Sequence, residues 1–220
     1  MRDTLLTVLY AVAVFFLIIT FSISLPIYCR PFYYLQIESL GVCEATKLDV
    51  QTIREAYDDV LDYLTIPGKP FATGEFKHSE DGAAHFADCK VLFDLNAAVL
   101  LISAATVALL LWLHKRKAVR LHRPFGMDAS ALSAGVLLVL FGVFGLLMAL
   151  DFDAMFVWFH RVLFPGKDNW QFNIRKDPIV KILPEAFFLR CGLLIVAVLL
   201  SVCVTLLVVQ LVRRKRAARA

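Results

Sequence analysis

Val91–Pro124 reads VLFDLNAAVLLISAATVALLLWLHKRKAVRLHRP, and the fold turns on its two halves. Val91 to Leu113 is an apolar run longer than the ~20 residues that carry a helix across ~30 Å of hydrocarbon. Behind it stand Lys115, Arg116, Lys117, Arg120 and Arg123. Lys and Arg beside a span resist translocation, whereas acidic residues hardly matter. One stretch therefore predicts both a transmembrane helix and the side on which it ends, the cytoplasmic one.

Three further runs, Leu5 to Leu25, Ala129 to Leu150 and Phe188 to Val212, have the same length and character. A second basic group, Arg213, Arg214, Lys215, Arg216 and Arg219, follows the last run. Both termini are expected in the cytoplasm, with Pro26 to Lys90 and Asp151 to Phe187 outside. In the first outer segment eleven acidic residues face six basic ones, so the net charge of +4 belongs to the inner ends. That balance expresses membrane topology and excludes nucleic-acid binding as its cause. The first run is expected to stay as a helix: it exceeds the usual core of a signal peptide, only Arg2 precedes it, and no Ala-x-Ala-like site follows.

With 220 residues at 60% hydrophobic composition, the expected fold is an all-α integral membrane protein, four transmembrane helices with a small extracellular cap. The segments are 1–27 (helix 1), 28–90 (extracellular cap), 91–113 (helix 2), 114–128 (basic loop), 129–150 (helix 3), 151–187 (second outer segment) and 188–220 (helix 4 and basic tail). Lys47 to Leu64 predicts an amphipathic cap helix. Val50, Ile53, Tyr57, Val60, Leu61 and Leu64 lie on one side, Asp49, Glu55, Asp58, Asp59 and Asp62 on the other. The apolar face is expected on the bundle top or on lipid headgroups. Ile66 to Phe76, with two prolines and two glycines, predicts a loop. Ser79 then serves as N-cap of a helix that passes through His85 straight into the second span. Gly135, Gly142 and Gly145 are expected to let helices pack closely, and Asp94 to pair with Arg190.

Five cysteines form no Cys-x-x-Cys and give no redox or metal signature; a Cys43–Cys89 bridge is one arrangement left open. Of five histidines, His114 and His122 belong to the basic loop and His78 to a polar one. His85 lies about six residues before the second span and His160 about ten after the third. If the third helix continues through Met155–His160, the two imidazoles reach a similar height and meet. The competing reading makes each an interfacial residue with a single hydrogen bond. Phe86, Phe152, Phe156, Trp158, Phe159, Phe164, Trp170, Phe172, Phe187 and Phe188 share that stratum. A belt of aromatics is ordinary at headgroup level, yet a pocket walled by them is dry, suits acyl chains and strengthens any polar contact inside.

Helix ends are expected to separate the pair electrically. His85 near an N-terminus stays neutral as a base, and His160 near a C-terminus is favoured as a charged donor. Asp88, one turn after His85, is placed to orient an imidazole, and Asp177 and Glu185 flank prolines in the second outer segment where substrate can touch. Tyr57 and Tyr63 are six apart, about 240° round a helix, so they serve different neighbours.

The segments Gly82-Ala83-Ala84-His85-Phe86-Ala87-Asp88, Phe159-His160-Arg161-Val162-Leu163-Phe164, Trp170-Gln171-Phe172, Asp177-Pro178-Ile179-Val180 and Leu183-Pro184-Glu185-Ala186-Phe187-Phe188 resemble, in order and spacing, the bacterial lipoprotein intramolecular transacylase family, Lit. The likeness extends to Tyr57 and Asp62-Tyr63-Leu64. It implies a multi-pass protein of the bacterial cytoplasmic membrane, with a catalytic pair at His85 and His160 on the extracytoplasmic side and no metal or other cofactor. Its implied partners are membrane lipids and diacylglyceryl-modified bacterial lipoproteins whose N-terminal Cys is free. Tyr57, Tyr63, Phe86, Asp88, Phe156, Phe159, Trp170, Asp177 and Glu185 become the substrate-binding candidates.

The implied reaction moves an acyl chain from the sn-2 oxygen of the glyceryl group to the α-amine of the same molecule. Amine nitrogen, Cα, Cβ, sulfur, two glyceryl carbons, ester oxygen and acyl carbon close a medium ring, which forms reluctantly. Holding the folded conformer is therefore the main task, and orientation of this kind contributes up to roughly 7–11 kcal/mol. Two other classes fit the residues alone: a non-catalytic tetraspan adaptor, and a haem protein with His85 and His160 as axial ligands.

Overall fold

The computed structural model describes residues 1–219. Among them the chain is helical, without a strand: α1 (Arg2–Tyr28), α2 (Arg30–Tyr34), α3 (Val42–Thr46), α4 (Val50–Thr65), α5 (Glu80–Lys115), α6 (Ala129–Leu150), α7 (Phe152–Leu163) and α8 (Glu185–Ala217), with short 3-10 turns at Pro124–Gly126 and Pro178–Lys181. By length and composition, α1, α5, α6 and α8 are the helices able to cross a membrane. This is a membrane-integral fold of four spans, as the apolar runs imply.

The chain divides into two compact units. One comprises Met1–Ser24, Asn96–Ala149 and the chain from Leu193; the other, called the cap below, comprises Leu25–Leu95 and Leu150–Gly192. In the first, Tyr10, Val14, Ile18, Leu110, Leu137, Leu199 and Cys203 form the buried core. A Cβ on Gly145 would stand 3.0 Å from Val196, so this glycine does bring α6 and α8 close, whereas Gly135 and Gly142 face open space. Asn96 donates to Ser24 Oγ at 2.9 Å, which satisfies its polar group inside the apolar stretch.

The cap has a core of its own. Ile53, Ala56, Tyr57, Val60, Leu61 and Leu64 on α4 pack against Tyr33, Ile37, Val42, Ile179, Ile182, Phe187 and the Phe86 ring of α5. Burying such side chains contributes about 1.5–3 kcal/mol each. The apolar face of α4 is thus covered by protein rather than by headgroups. α4 begins at Val50, not at Lys47, because Asp49 accepts from the N–H groups of Gln51 and Thr52 as N-cap, and Lys47 has a left-handed backbone. Arg30 bridges Asp58 at 2.8 Å and also Asp62 along the polar side.

Two further local expectations fail, and the question left open for the cysteines is decided. The third span does not continue into Met155–His160: α6 stops at Leu150, and Asp151, in extended conformation, caps a new helix by accepting from Ala154 N–H at 2.9 Å. Arg190 does not pair with Asp94. Its guanidinium donates to Gln36 Oε1 at 3.1 Å and Ser39 Oγ at 2.7 Å, neutral partners that the short α2 turn brings within reach. All five cysteines are free thiols, so the Cys43–Cys89 bridge is not formed.

Candidate active site

His85 owes its position to the start of α5. Ser79 caps the helix by accepting from Gly82 N–H at 3.0 Å. Asp177, buried in the second outer segment, accepts from Ser79 N–H at 2.6 Å and from its hydroxyl at 2.9 Å. The carboxylate thereby meets the positive end of the α5 dipole. It approaches so closely that a Cβ on Gly82 would fall 2.3 Å from Asp177 Oδ1, and only glycine fits there. One turn further on, the His85 side chain is buried, with 5% of its surface exposed.

His160 lies in the last turn of α7 and is 8% exposed. Its Nδ1 stands 2.8 Å from the Phe156 carbonyl oxygen, which can only accept, so Nδ1 carries a hydrogen and Nε2 keeps its lone pair in the neutral ring. The break at Asp151 does not prevent the meeting: the centroids of the two imidazoles are 5.9 Å apart, with 33° between their planes.

Aromatic rings enclose the pair. Phe164 and Phe172 stand edge-on to His85 at 4.9 and 5.4 Å, and Phe86 is 6.3 Å away. Trp170 stacks on His160 at 4.8 Å, Phe156 lies at 4.2 Å and Phe159 at 5.5 Å. The wall is one-sided, since Trp158, Phe159 and Val162 on α7 are about half exposed. Beside the histidine pair, with Phe172 in common, opens a cavity of about 440 Å³ that Ser79, Asn169, Gln171, Asn173 and Asp177 also line.

Asp88 does not touch either imidazole. It accepts from Lys167 Nζ at 2.5 Å and Asn169 Nδ2 at 3.1 Å, and so ties down the loop that carries Phe164, Trp170 and Phe172. The Lys167 ammonium holds the Asp88 carboxyl below its ordinary range. Tyr57 stacks on Tyr33 at 3.9 Å inside the cap core, whereas Tyr63 meets Phe71 at 5.1 Å and lies under Lys90 Nζ. The two tyrosines do serve different neighbours. Glu185 opens α8 beside Asp153; burial and that neighbouring carboxyl raise its affinity for a proton.

Of the expected electrical separation, the half for His85 holds, since its charged form is disfavoured, and the half for His160 fails. Burial lowers both, and the repulsion of His160 helps push His85 down to about 4. At His160 the Phe156 carbonyl partly offsets burial. His85 sits in the second turn of α5, where the helix field has faded, so desolvation decides.

Cys89 escaped the sequence reading as a site residue. Its Sγ lies 3.4 Å from His85 Nε2. The i, i+4 spacing on one helix was the available signal, masked by the question of pairing with Cys43.

In a membrane-integral protein, two buried imidazoles held together among aromatic rings make a site suited to proton transfer away from bulk water. Comparison with known proteins sharpens that class. The family model for lipoprotein intramolecular transacylase Lit matches residues 8–188. Among solved structures, the membrane-integral Lit from Bacillus cereus superposes with a TM-score of 0.85 at 24% identity, covering 98% of each chain. The same enzyme with an H85R mutation gives 0.77 at 23% identity over 99% of this chain and 95% of that one. With an H85A mutation it gives 0.76 at 24% identity over 98% and 96%. No curated protein sequence matches the chain.

The chain belongs to the Lit family. It is a membrane-integral enzyme, a lipoprotein intramolecular transacylase. Family membership sets aside the adaptor and haem readings.

Proposed function

We propose that this enzyme moves the sn-2 acyl chain of a diacylglyceryl-modified bacterial lipoprotein onto the α-amine of its N-terminal Cys, with His85 and His160 as the catalytic pair. The observation that carries the assignment is the burial of two imidazoles at a 5.9 Å separation, contributed by helices more than seventy residues apart. Phe86, Phe156, Phe159 and Trp170 border the acyl chain and the glyceryl group. Asp88 and Asp177 act on the site through the loop and helix they hold, and Tyr57, Tyr63 and Glu185 support its surroundings.

The hydrogen bonds favour an exchange of the roles that helix ends suggest. His160 offers a lone pair on Nε2, because its Nδ1–H is engaged with Phe156. It is therefore the base that takes the proton as the amine attacks the acyl carbon. His85 resists charging and has a buried Nδ1 without a partner, which suits a neutral donor to the developing oxyanion. Collapse of the tetrahedral intermediate breaks the bond to the sn-2 oxygen, and His160 returns its proton to that oxygen as the free hydroxyl forms. No acyl-enzyme is required.

The basic loop and tail support a cytoplasmic location for both termini in the bacterial cell membrane, with the cap, drawn from residues 28–90 and 151–187, on the extracytoplasmic side. Expression with a model lipoprotein in a host lacking other N-acylating enzymes, followed by mass spectrometry of the lipoprotein N-terminus, tests the reaction. Wild type is expected to give the N-acyl, lyso-glyceryl product, and His85→Ala and His160→Ala to lose about 10²–10⁴ in rate. Full conversion by either variant would refute the pair.

A further inference from the structure

The reaction proposed above leaves one buried group beside the histidine pair without a task. We infer that Cys89 is a positioning residue: its S–H donates to His85 Nε2 and holds the ring in the tautomer that carries its proton on Nδ1. The inference rests on the acyl transfer assigned to His85 and His160.

Four residues apart on α5, the two side chains share one helix face, and Sγ stands 3.4 Å from Nε2. A thiol is a weak donor and a weak acceptor, while an unprotonated imidazole nitrogen is a strong acceptor. The bond is therefore stronger with hydrogen on sulfur. Burial keeps that hydrogen in place by pushing the Cys89 thiol up to about 12. Which nitrogen of a neutral imidazole is protonated follows from the bond the other nitrogen makes. With Nε2 accepting, the proton sits on Nδ1, which is buried and finds no partner in the protein. A buried N–H left unpaired costs roughly 1–3 kcal/mol. An oxygen of the substrate that becomes negative in the transition state removes that cost at the moment it matters.

The same observations make Cys89 a poor acyl carrier. A thioester requires a thiolate, and a thiol held protonated next to an imidazole that resists charging forms no thiolate–imidazolium pair. The acyl chain passes directly from oxygen to nitrogen, and the thiol acts on the reaction only through the ring.

Two measurements test this on the full chain in lipid bilayers. Nitrogen-15 spectra of the wild-type protein, with His85 assigned by difference against His85→Gln, are expected to report a protonated Nδ1 and an unprotonated Nε2. A protonated Nε2 in the neutral ring would overturn the inference, whatever the variants do. Cys89→Ala is expected to lower kcat on a diacylglyceryl lipopeptide by about ten- to hundredfold with KM little changed, and to move the proton toward Nε2. Cys89→Ser, which restores an O–H donor, is expected to recover most of that loss and the Nδ1–H signal. An alanine variant as fast as wild type would also overturn it. Failure of the wild type to acylate the amine at all would refute the proposed reaction instead, and the tautomer measurement stands apart from that result.

Discussion

Asp177 and Ser79, ninety-eight residues apart, are joined through both donors of Ser79: its backbone N–H donates to Asp177 Oδ1, and its hydroxyl stands 2.9 Å from each oxygen of the buried carboxylate. Asp177→Ala removes the acceptor and leaves the Ser79 N–H unpaired, a cost of about 1–3 kcal/mol. Expected are a lower Tm in detergent and a fall in N-acylation. Gly82→Ala should act the same way, because the new methyl overlaps Asp177 Oδ1. Wild-type stability in both variants would show that this junction does not set the position of α5.

Asp88 invites a different outcome. Its ion pair with Lys167 is partly exposed, with about half of the lysine side chain in solvent, so it is worth at most about 1 kcal/mol. Asp88→Ala is expected to leave Tm nearly unchanged. The loop carrying Trp170 loosens, and hydrogen exchange over residues 164–173 should rise as N-acylation falls by roughly tenfold. A loss of Tm with no change in loop exchange would contradict the role given to this residue.

Stacking of Trp170 on His160 is shape-specific. Trp170→Phe keeps an aromatic face and is expected to retain most activity, whereas Trp170→Ala exposes the imidazole to water and is expected to lose about tenfold or more. Initial rates on one lipopeptide, with the two variants side by side, decide the matter.

Acid should unfold the cap by way of its histidines. Both bind protons less readily in the folded state than the ordinary value of 6.5, so below that value the unfolded chain binds more protons and gains ground. The stability they contribute is complete above about pH 6.5. For His85 it is lost as pH falls toward about 4, a change of at most about 3 kcal/mol. Denaturation followed by tryptophan fluorescence across this range is the measurement, and His85→Phe should flatten the profile.

Much of the fold was legible because a membrane span is a one-dimensional signal: length and apolarity of a run suffice, as in Ala129–Leu150. The α5 start at Ser79 was equally readable, since a cap is local. What escaped reading was set by contacts across the sequence or by single backbone angles. The helix break depends on Asp151 adopting an extended conformation, and the apolar residues on both sides gave no hint of it. Arg190 found Gln36 rather than Asp94 because a five-residue helix, α2, intervenes in a stretch without periodic pattern. Both histidines could be singled out from their aromatic company, yet their tautomers could not, because those rest on the Phe156 carbonyl and the Cys89 thiol.

α5 runs unbroken for 36 residues from Glu80 to Lys115. His85 precedes Val91 by six positions, which at 1.5 Å per residue sets the imidazole about 9 Å beyond the apolar stretch. The helix works as a ruler: one rigid element fixes the spacing between the imidazole and the apolar stretch that follows it.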